Sequence, residues 1–265
     1  MLEWMAYIAL GLFAGFFAGL LGVGGGLIIV PVLAFIFAAQ HFPAHYVMHL
    51  ALGTSLASII FTSISSLRAH HAHVAVDWKV WREVTPGIVT GTLLGTVLAA
   101  YLSAHFLKLF FVVFVFYVGT QMLLDIKPKA ARALPGLPGM FAAGNVIGAV
   151  SSLVGIGGGT LSVPFMTWCN VTLHRAIGTS AAIGLPIAIA GALGYVANGL
   201  AVRSVLPAHS LGFVYLPALA AIVVASIVTA PLGAKLAHRL PVKKLKKIFA
   251  LLLFTLGIRM AVSLF

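Results

Sequence analysis

Gly22-Val23-Gly24-Gly25-Gly26-Leu27-Ile28-Ile29-Val30-Pro31 returns later in the chain as Gly155-Ile156-Gly157-Gly158-Gly159-Thr160-Leu161-Ser162-Val163-Pro164. The two copies start half a chain length apart in a sequence of 265 residues. Both interrupt strongly apolar sequence. A glycine run ends one helix, lets backbones approach closely and lets a new helix begin. Two such breaks at matched positions in a greasy chain point to a membrane protein built from two related halves.

The repeat reaches beyond the glycines. His49-Leu50-Ala51-Leu52-Gly53-Thr54-Ser55-Leu56-Ala57 matches His174-Arg175-Ala176-Ile177-Gly178-Thr179-Ser180-Ala181-Ala182. Lys108 through Gly119 resembles Lys246 through Gly257 more weakly. Composition agrees with a membrane setting. The chain is 62% hydrophobic and only 8% charged, whereas a soluble domain carries about 25% charged residues. The apolar runs are continuous, which argues against the alternating pattern of a β-barrel. The first residues, with Glu3 and Trp4, lack the basic start of a secretory signal. The single cysteine, Cys169, rules out an intrachain disulfide and a cysteine metal cluster.

Apolar segments run over 4–21, 27–39, 46–67, 84–102, 106–124, 137–153, 160–169, 176–197, 211–231 and 246–264. The second and seventh are too short to cross a ~30 Å hydrocarbon core comfortably, and each directly follows a glycine break. Charge decides how the broken segments cross. If each break returns the chain to its own side, thirteen of the sixteen Lys and Arg collect on one side, leaving Lys108, Arg203 and Arg259 on the other. If each broken pair crosses once, the split is even. The positive-inside rule favours the first arrangement and accounts for the net charge of +12 without a nucleic-acid partner. Two tilted spans satisfy the same charge count as a re-entrant hairpin; the short segments after the glycines favour hairpins.

The expected fold is therefore all-α: a polytopic helical membrane protein of two inverted repeats, each a glycine-broken helical hairpin plus three transmembrane helices. Residues 1–125 form the first repeat, 126–136 a cytoplasmic linker and 137–265 the second repeat, within one integral membrane domain. Both termini are predicted to lie outside the cytoplasm.

Helix starts that face a break present unpaired N–H groups and a positive dipole end, which suit an anion. Gly24, Gly25, Gly26, Gly157, Gly158, Gly159 and Thr160 are thus candidates for substrate binding. Thr54, Ser55, Thr179 and Ser180 add hydroxyl donors, although such hydroxyls also bond their own helix or a neighbour. Asn145, ahead of the second break, is a further candidate. His49 and His174 lie one turn before each Gly-Thr-Ser, near the site or at a helix entry. Pro31 and Pro164 are kinks or helix-start residues with no contact to substrate.

Arg68-Ala69-His70-His71-Ala72-His73 has the look of a metal cluster in a basic loop, but no carboxylate or cysteine completes it. Lys243-Lys244-Leu245-Lys246-Lys247 reads as a topology anchor on an anionic leaflet. The four acids, Glu3, Asp77, Glu83 and Asp125, fall at segment ends or in loops, so no carboxylate relay is indicated in the membrane. No zincin, nucleophile-elbow or Walker motif is present.

Gly-x-Gly-Gly-Gly followed by Val-Pro in both halves, Ala-x-Gly-Thr-Ser after each, and Val76-Asp77-Trp78 resemble the sulfite exporter TauE/SafE family of bacterial membrane permeases. The resemblance covers nearly the whole chain. It implies transport of small, mostly sulfur-bearing organic or inorganic anions across the inner membrane. The expectation is a secondary transporter working by alternating access, with a small anion and the lipid bilayer as partners. No enzymatic activity, cofactor, metal or nucleic acid is expected, and the sequence fixes no oligomeric state. The alternatives are a channel-like anion pore, or a membrane metal-binding protein or enzyme using His70, His71 and His73.

Overall fold

The structure, a computed structural model, describes residues 2–21, 24–72, 75–124, 132–237 and 242–264. Most of the 125–136 stretch, His73 and the glycine-break residues Gly22 and Val23 therefore lie outside the described residues. The chain forms helices α1 (Leu2–Leu21), α2 (Gly26–Ala39), α3 (Val47–Ala72), α4 (Trp78–Tyr101) and α5 (Ala104–Leu123). They are followed by α6 (Leu137–Val154), α7 (Gly159–Trp168), α8 (Leu173–Leu200), α9 (Leu216–Ala237) and α10 (Val242–Val262). Seven of the described helices are long and apolar enough to cross a membrane: α1, α3, α4, α5, α6, α8 and α9. This is a polytopic helical membrane protein.

Helix α10 is not among the seven, and α2 and α7 are too short to be. At 14 and 10 residues they reach roughly 21 and 15 Å, short of a ~30 Å core. The far end of each returns toward the start of the helix before it. A Cβ placed on Gly25 would stand 3.4 Å from the Ala18 methyl, while at the far end of α2 the Tyr7 hydroxyl donates to Gln40 Oε1 at 2.8 Å. In the second half, a Cβ on Gly158 would stand 3.6 Å from Ser151 Oγ. At the other end of α7, Trp168 meets the approach to α6: the Arg132 guanidinium lies 5.1 Å from the indole ring centre. Each glycine break is the closed end of a helical hairpin.

Glycines spaced four apart set the tightest seams. Gly11, Gly15 and Gly19 of α1 abut Ile222, Ser226 and Ala230 of α9 in that order, so the two helices run parallel. Gly87, Gly91 and Gly95 of α4 abut Phe141, Asn145 and Ala149 of α6 likewise. Any side chain on these faces would strike backbone, and close backbone contact is how helices gain packing where water gives no hydrophobic drive between them. Farther round the helix α4 exposes Leu94, Val97 and Leu98, side chains that suit lipid. Helices α3 and α8 occupy the centre and run antiparallel: Leu56 lies against Gly191, and Ser63 against Gly184. Helices α5 and α10 are antiparallel too, with Gly119 at Phe254 and Gly257 at Val115.

Some boundaries differ from the sequence expectation. Helix α4 begins six residues earlier, at Trp78, because the Asp77 carboxylate accepts from the Lys79 and Val80 N–H groups at 3.1 and 3.2 Å and caps the helix. The polar first turn hides that start from a hydropathy reading. Helix α9 begins later than 211, at Leu216. Residues Ser210–Leu211 (β1) and Val214–Tyr215 (β2) pair antiparallel around Gly212, whose φ is +54°. Helix α3 continues through Ala72, so Arg68, His70 and His71 lie on its last turns and not in a loop. His71 packs its ring on Trp78. Among the described residues no group of His, Cys, Asp or Glu is placed to hold a metal.

Candidate functional site

The two breaks meet. A Cβ on Gly24 would stand 3.6 Å from Gly157 Cα, and one on Gly26 would collide with the Gly155 carbonyl oxygen. The backbone conformations match across the halves: Gly25 has φ +76° and Gly158 φ +77°, values that suit glycine because no Cβ clashes. Each acts as the N-cap of the short helix that follows, without a side-chain cap. The Gly25 carbonyl accepts from the Ile28 and Ile29 N–H groups, and the Gly158 carbonyl from those of Leu161 and Ser162. Two helix N-termini therefore start beside each other near the middle of the bundle, with their positive dipole ends at the contact.

Helices α3 and α8 close over this contact. The Ser55 hydroxyl donates to the Gly155 carbonyl at 2.8 Å, tying the first half to the second break. Gly184 of α8 approaches the Gly157 carbonyl, and Ile59 of α3 lies over both Gly24 and Gly157. Of the residues singled out from sequence, Gly24, Gly25, Gly26, Ser55, Gly157, Gly158, Gly159 and Thr160 are brought to this one region. Ser180 is buried but donates to the Ile177 carbonyl of its own helix at 2.8 Å. Asn145 is not brought there. It lies ten residues before Gly155, about 15 Å along α6, where its Nδ2 donates to the Phe141 carbonyl and its Oδ1 accepts from Thr90 across the α4–α6 seam.

Thr54 and Thr179 have a different duty that sequence spacing did not reveal. The Thr54 hydroxyl oxygen accepts the Tyr215 N–H at 3.0 Å, and the Thr179 oxygen accepts the Asp77 N–H at 2.8 Å. In each case the donor is in the segment that enters a helix of the other half, α9 or α4. The preceding glycines match: Gly53 receives the Phe213 carbonyl and Gly178 the Ala75 carbonyl, with no room for a side chain. Each Gly-Thr pair is a socket for the other half's incoming loop. On the Asp77 side the joint is reinforced by Trp81 Nε1 donating to the Ala182 carbonyl at 3.1 Å, and by Arg175 at 3.8 Å from the Asp77 carboxylate. On the Tyr215 side it is aromatic: Tyr215 packs with Tyr7, Phe37 and Phe42.

The histidines diverge. His49 is buried, with Nε2 2.9 Å from the Ala99 carbonyl at the end of α4, and His174 is exposed in the first turn of α8. Neither stands at the breaks. A separate cavity of about 240 Å3 opens where α2 ends, α5 begins and α10 ends, lined in part by Phe35, Met48, His105 and Lys108. The Lys108 ammonium there donates to the Ser263 carbonyl at 2.7 Å. Sequence reading missed this cavity, whose only signal was the lone Lys near the start of an apolar run.

Comparison with known proteins covers almost the entire chain. Residues 7–260 match the family model described as sulfite exporter TauE/SafE. A "probable membrane transporter protein" of Haemophilus influenzae is 37% identical over 255 residues, 96% of each chain. Another, of Methanocaldococcus jannaschii, is 25% identical over 260 residues, 96% of this chain and 93% of its own. A third, YunE of Bacillus subtilis, is 28% identical over 184 residues, 62% of this chain and 67% of its own. No solved structure matches the chain.

Proposed function

The chain belongs to the sulfite exporter TauE/SafE family, and from that premise we propose that it is a secondary transporter for small anions, sulfur-bearing ones such as sulfite or sulfoacetate foremost. The observation that carries the proposal is the contact of Gly24 with Gly157: two uncapped helix starts, one from each half, facing each other deep in a membrane protein. Backbone N–H groups and hydroxyls there offer an anion hydrogen bonds without a buried cation. The absence of carboxylates from the apolar segments suits a negative cargo.

In this reading the halves are inverted repeats, residues 1–125 and 137–265, in a bacterial inner membrane with both termini periplasmic. The antiparallel α3–α8 and α5–α10 pairs support the inversion. The glycine seams suggest which parts move together in alternating access. Helix α9 rides with the α1–α2 hairpin and α4 with the α6–α7 hairpin, so each moving body draws helices from both halves. The Thr54–Tyr215 and Thr179–Asp77 joints fasten opposite ends of the pathway. Transport needs no enzymatic step.

The test is anion flux into proteoliposomes carrying the wild type, Gly25→Val or Gly158→Val. Valine at a φ near +76° is strained, and at Gly158 it also strikes Ile187. Both variants are expected to insert at normal levels and lose flux. Wild-type flux in both would sink the site assignment. Non-saturating conductance without trans-stimulation would replace the carrier with a pore.

A further inference from the structure

The two hairpins share a backbone but differ at their closed ends. Around Gly25 the neighbouring side chains are apolar: a Cβ there would meet the Ala18 methyl at 3.4 Å and Ile29 Cδ1 at 3.5 Å, beside the Ala14 carbonyl oxygen at 3.3 Å. Stepping by the repeat, Ser151 stands in the place of Ala18, Thr160 in that of Leu27 and Ser162 in that of Ile29. All three hydroxyls are buried, with Ser151 and Ser162 fully so and Thr160 at 7% exposure. None has a hydrogen-bond partner. Ser151 Oγ lies 3.6 Å from the Cβ position of Gly158, the N-cap of α7, and Ser162, four residues on, shares that face of the helix.

Leaving a buried hydroxyl unmatched is unfavourable, and the first hairpin reaches the same conformation with Ala, Leu and Ile. The fold therefore does not require these hydroxyls. Ser151 and Ser162 flank a helix N-terminus that lacks a side-chain cap, so spare donors and a positive dipole end coincide there.

We propose that the closed end of the α6–α7 hairpin, and not its α1–α2 counterpart, is the anion subsite: Ser151 and Ser162 donate their hydroxyls, with the first N–H groups of α7, to one small oxyanion or sulfonate headgroup. The proposal rests on the anion-carrier reading above and makes its site one-sided. The donors are neutral, so the ligand keeps its charge and is held by charge-assisted hydrogen bonds in poorly solvated surroundings. Ile187, whose Cδ1 reaches Gly158, fills the space next to the hydroxyls and must turn aside to admit the ligand.

The test uses the purified full chain in lipid nanodiscs, titrated calorimetrically with sodium sulfite and with sulfoacetate, together with the melting temperature of the ligand-free protein. Ser151→Ala combined with Ser162→Ala is expected to weaken binding at least tenfold, while the ligand-free melting temperature holds or rises because unmatched polar groups are removed. Ala18→Ser, the mirror change in the first hairpin, is expected to bind like the wild type. Undiminished binding by the double variant would overturn the one-sided site and leave the carrier reading standing. So would weaker binding accompanied by a matching fall in the ligand-free melting temperature, since the serines would then be structural. Failure of the wild type to bind or carry either anion would overturn the carrier reading and the subsite with it.

Discussion

Gly26→Ala places a methyl group on the Gly155 carbonyl oxygen. The substitution is conservative by every local rule. Gly26 opens α2 with ordinary helical geometry, and alanine there regains up to about 1 kcal/mol of helix propensity. Against this stand overpacking, about 1–3 kcal/mol, and displacement of a carbonyl that accepts the Ser55 hydroxyl at 2.8 Å, worth about 1 kcal/mol. The net expectation is about 2 kcal/mol of destabilisation. Ser55→Ala removes the same hydrogen bond from the other side, about 1 kcal/mol. Because both changes act on one carbonyl, they should not add: the double variant should lose little more than Gly26→Ala alone, a coupling of about 1 kcal/mol. Denaturant unfolding of the four proteins in one detergent measures the cycle, and vesicle flux measures whether parting the breaks stops transport. Strict additivity, or a Gly26→Ala protein as stable as the wild type, would refute the claim that the breaks touch through Gly155.

Thr54→Val and Thr179→Val each leave a loop N–H without its acceptor and should each destabilise by about 1–2 kcal/mol, with Ser at either position restoring most of it in the same unfolding assay. Asp77→Ala removes the α4 cap and should cost about 1 kcal/mol; Arg175→Ala should cost less than about 1 kcal/mol, because its guanidinium is 61% exposed and 3.8 Å from the carboxylate. A larger loss from Arg175→Ala in thermal unfolding would make the ion pair, and not the cap, the stronger tie. Reporter fusions at Lys129 and after Phe265 should read cytoplasmic and periplasmic respectively, and both on one side would overturn the inverted arrangement.

Much of the architecture is legible in the residues. The doubled glycine run, the short apolar segments after it and the basic residues on one side point to hairpins. These signals are local: backbone freedom at Gly25 and Gly158, length against bilayer thickness, and charge against topology. Contacts between the halves are not local. Nothing in the spacing of Gly53-Thr54 or Gly178-Thr179 says that each receives the backbone of the other half's incoming loop. Both carry small hydroxyl residues on apolar helices, as a ligand site would. Asn145 misled for a related reason, since a lone polar residue in an apolar helix looks the same whether it faces a site or a neighbouring helix.

The sequence by itself determined that this chain is a membrane protein of two similar halves, each broken by glycine, because composition and the geometry of single residues leave little else. Only the tertiary structure decided which glycines touch. It set Gly24 against Gly157, sent α9 to the first hairpin and α4 to the second, and left Ser151, Thr160 and Ser162 buried without partners while their counterparts are apolar. The reason is physical. Close packing between helices depends on which faces meet, and that is fixed by the sum of many weak contacts across the whole bundle and not by any one stretch of chain.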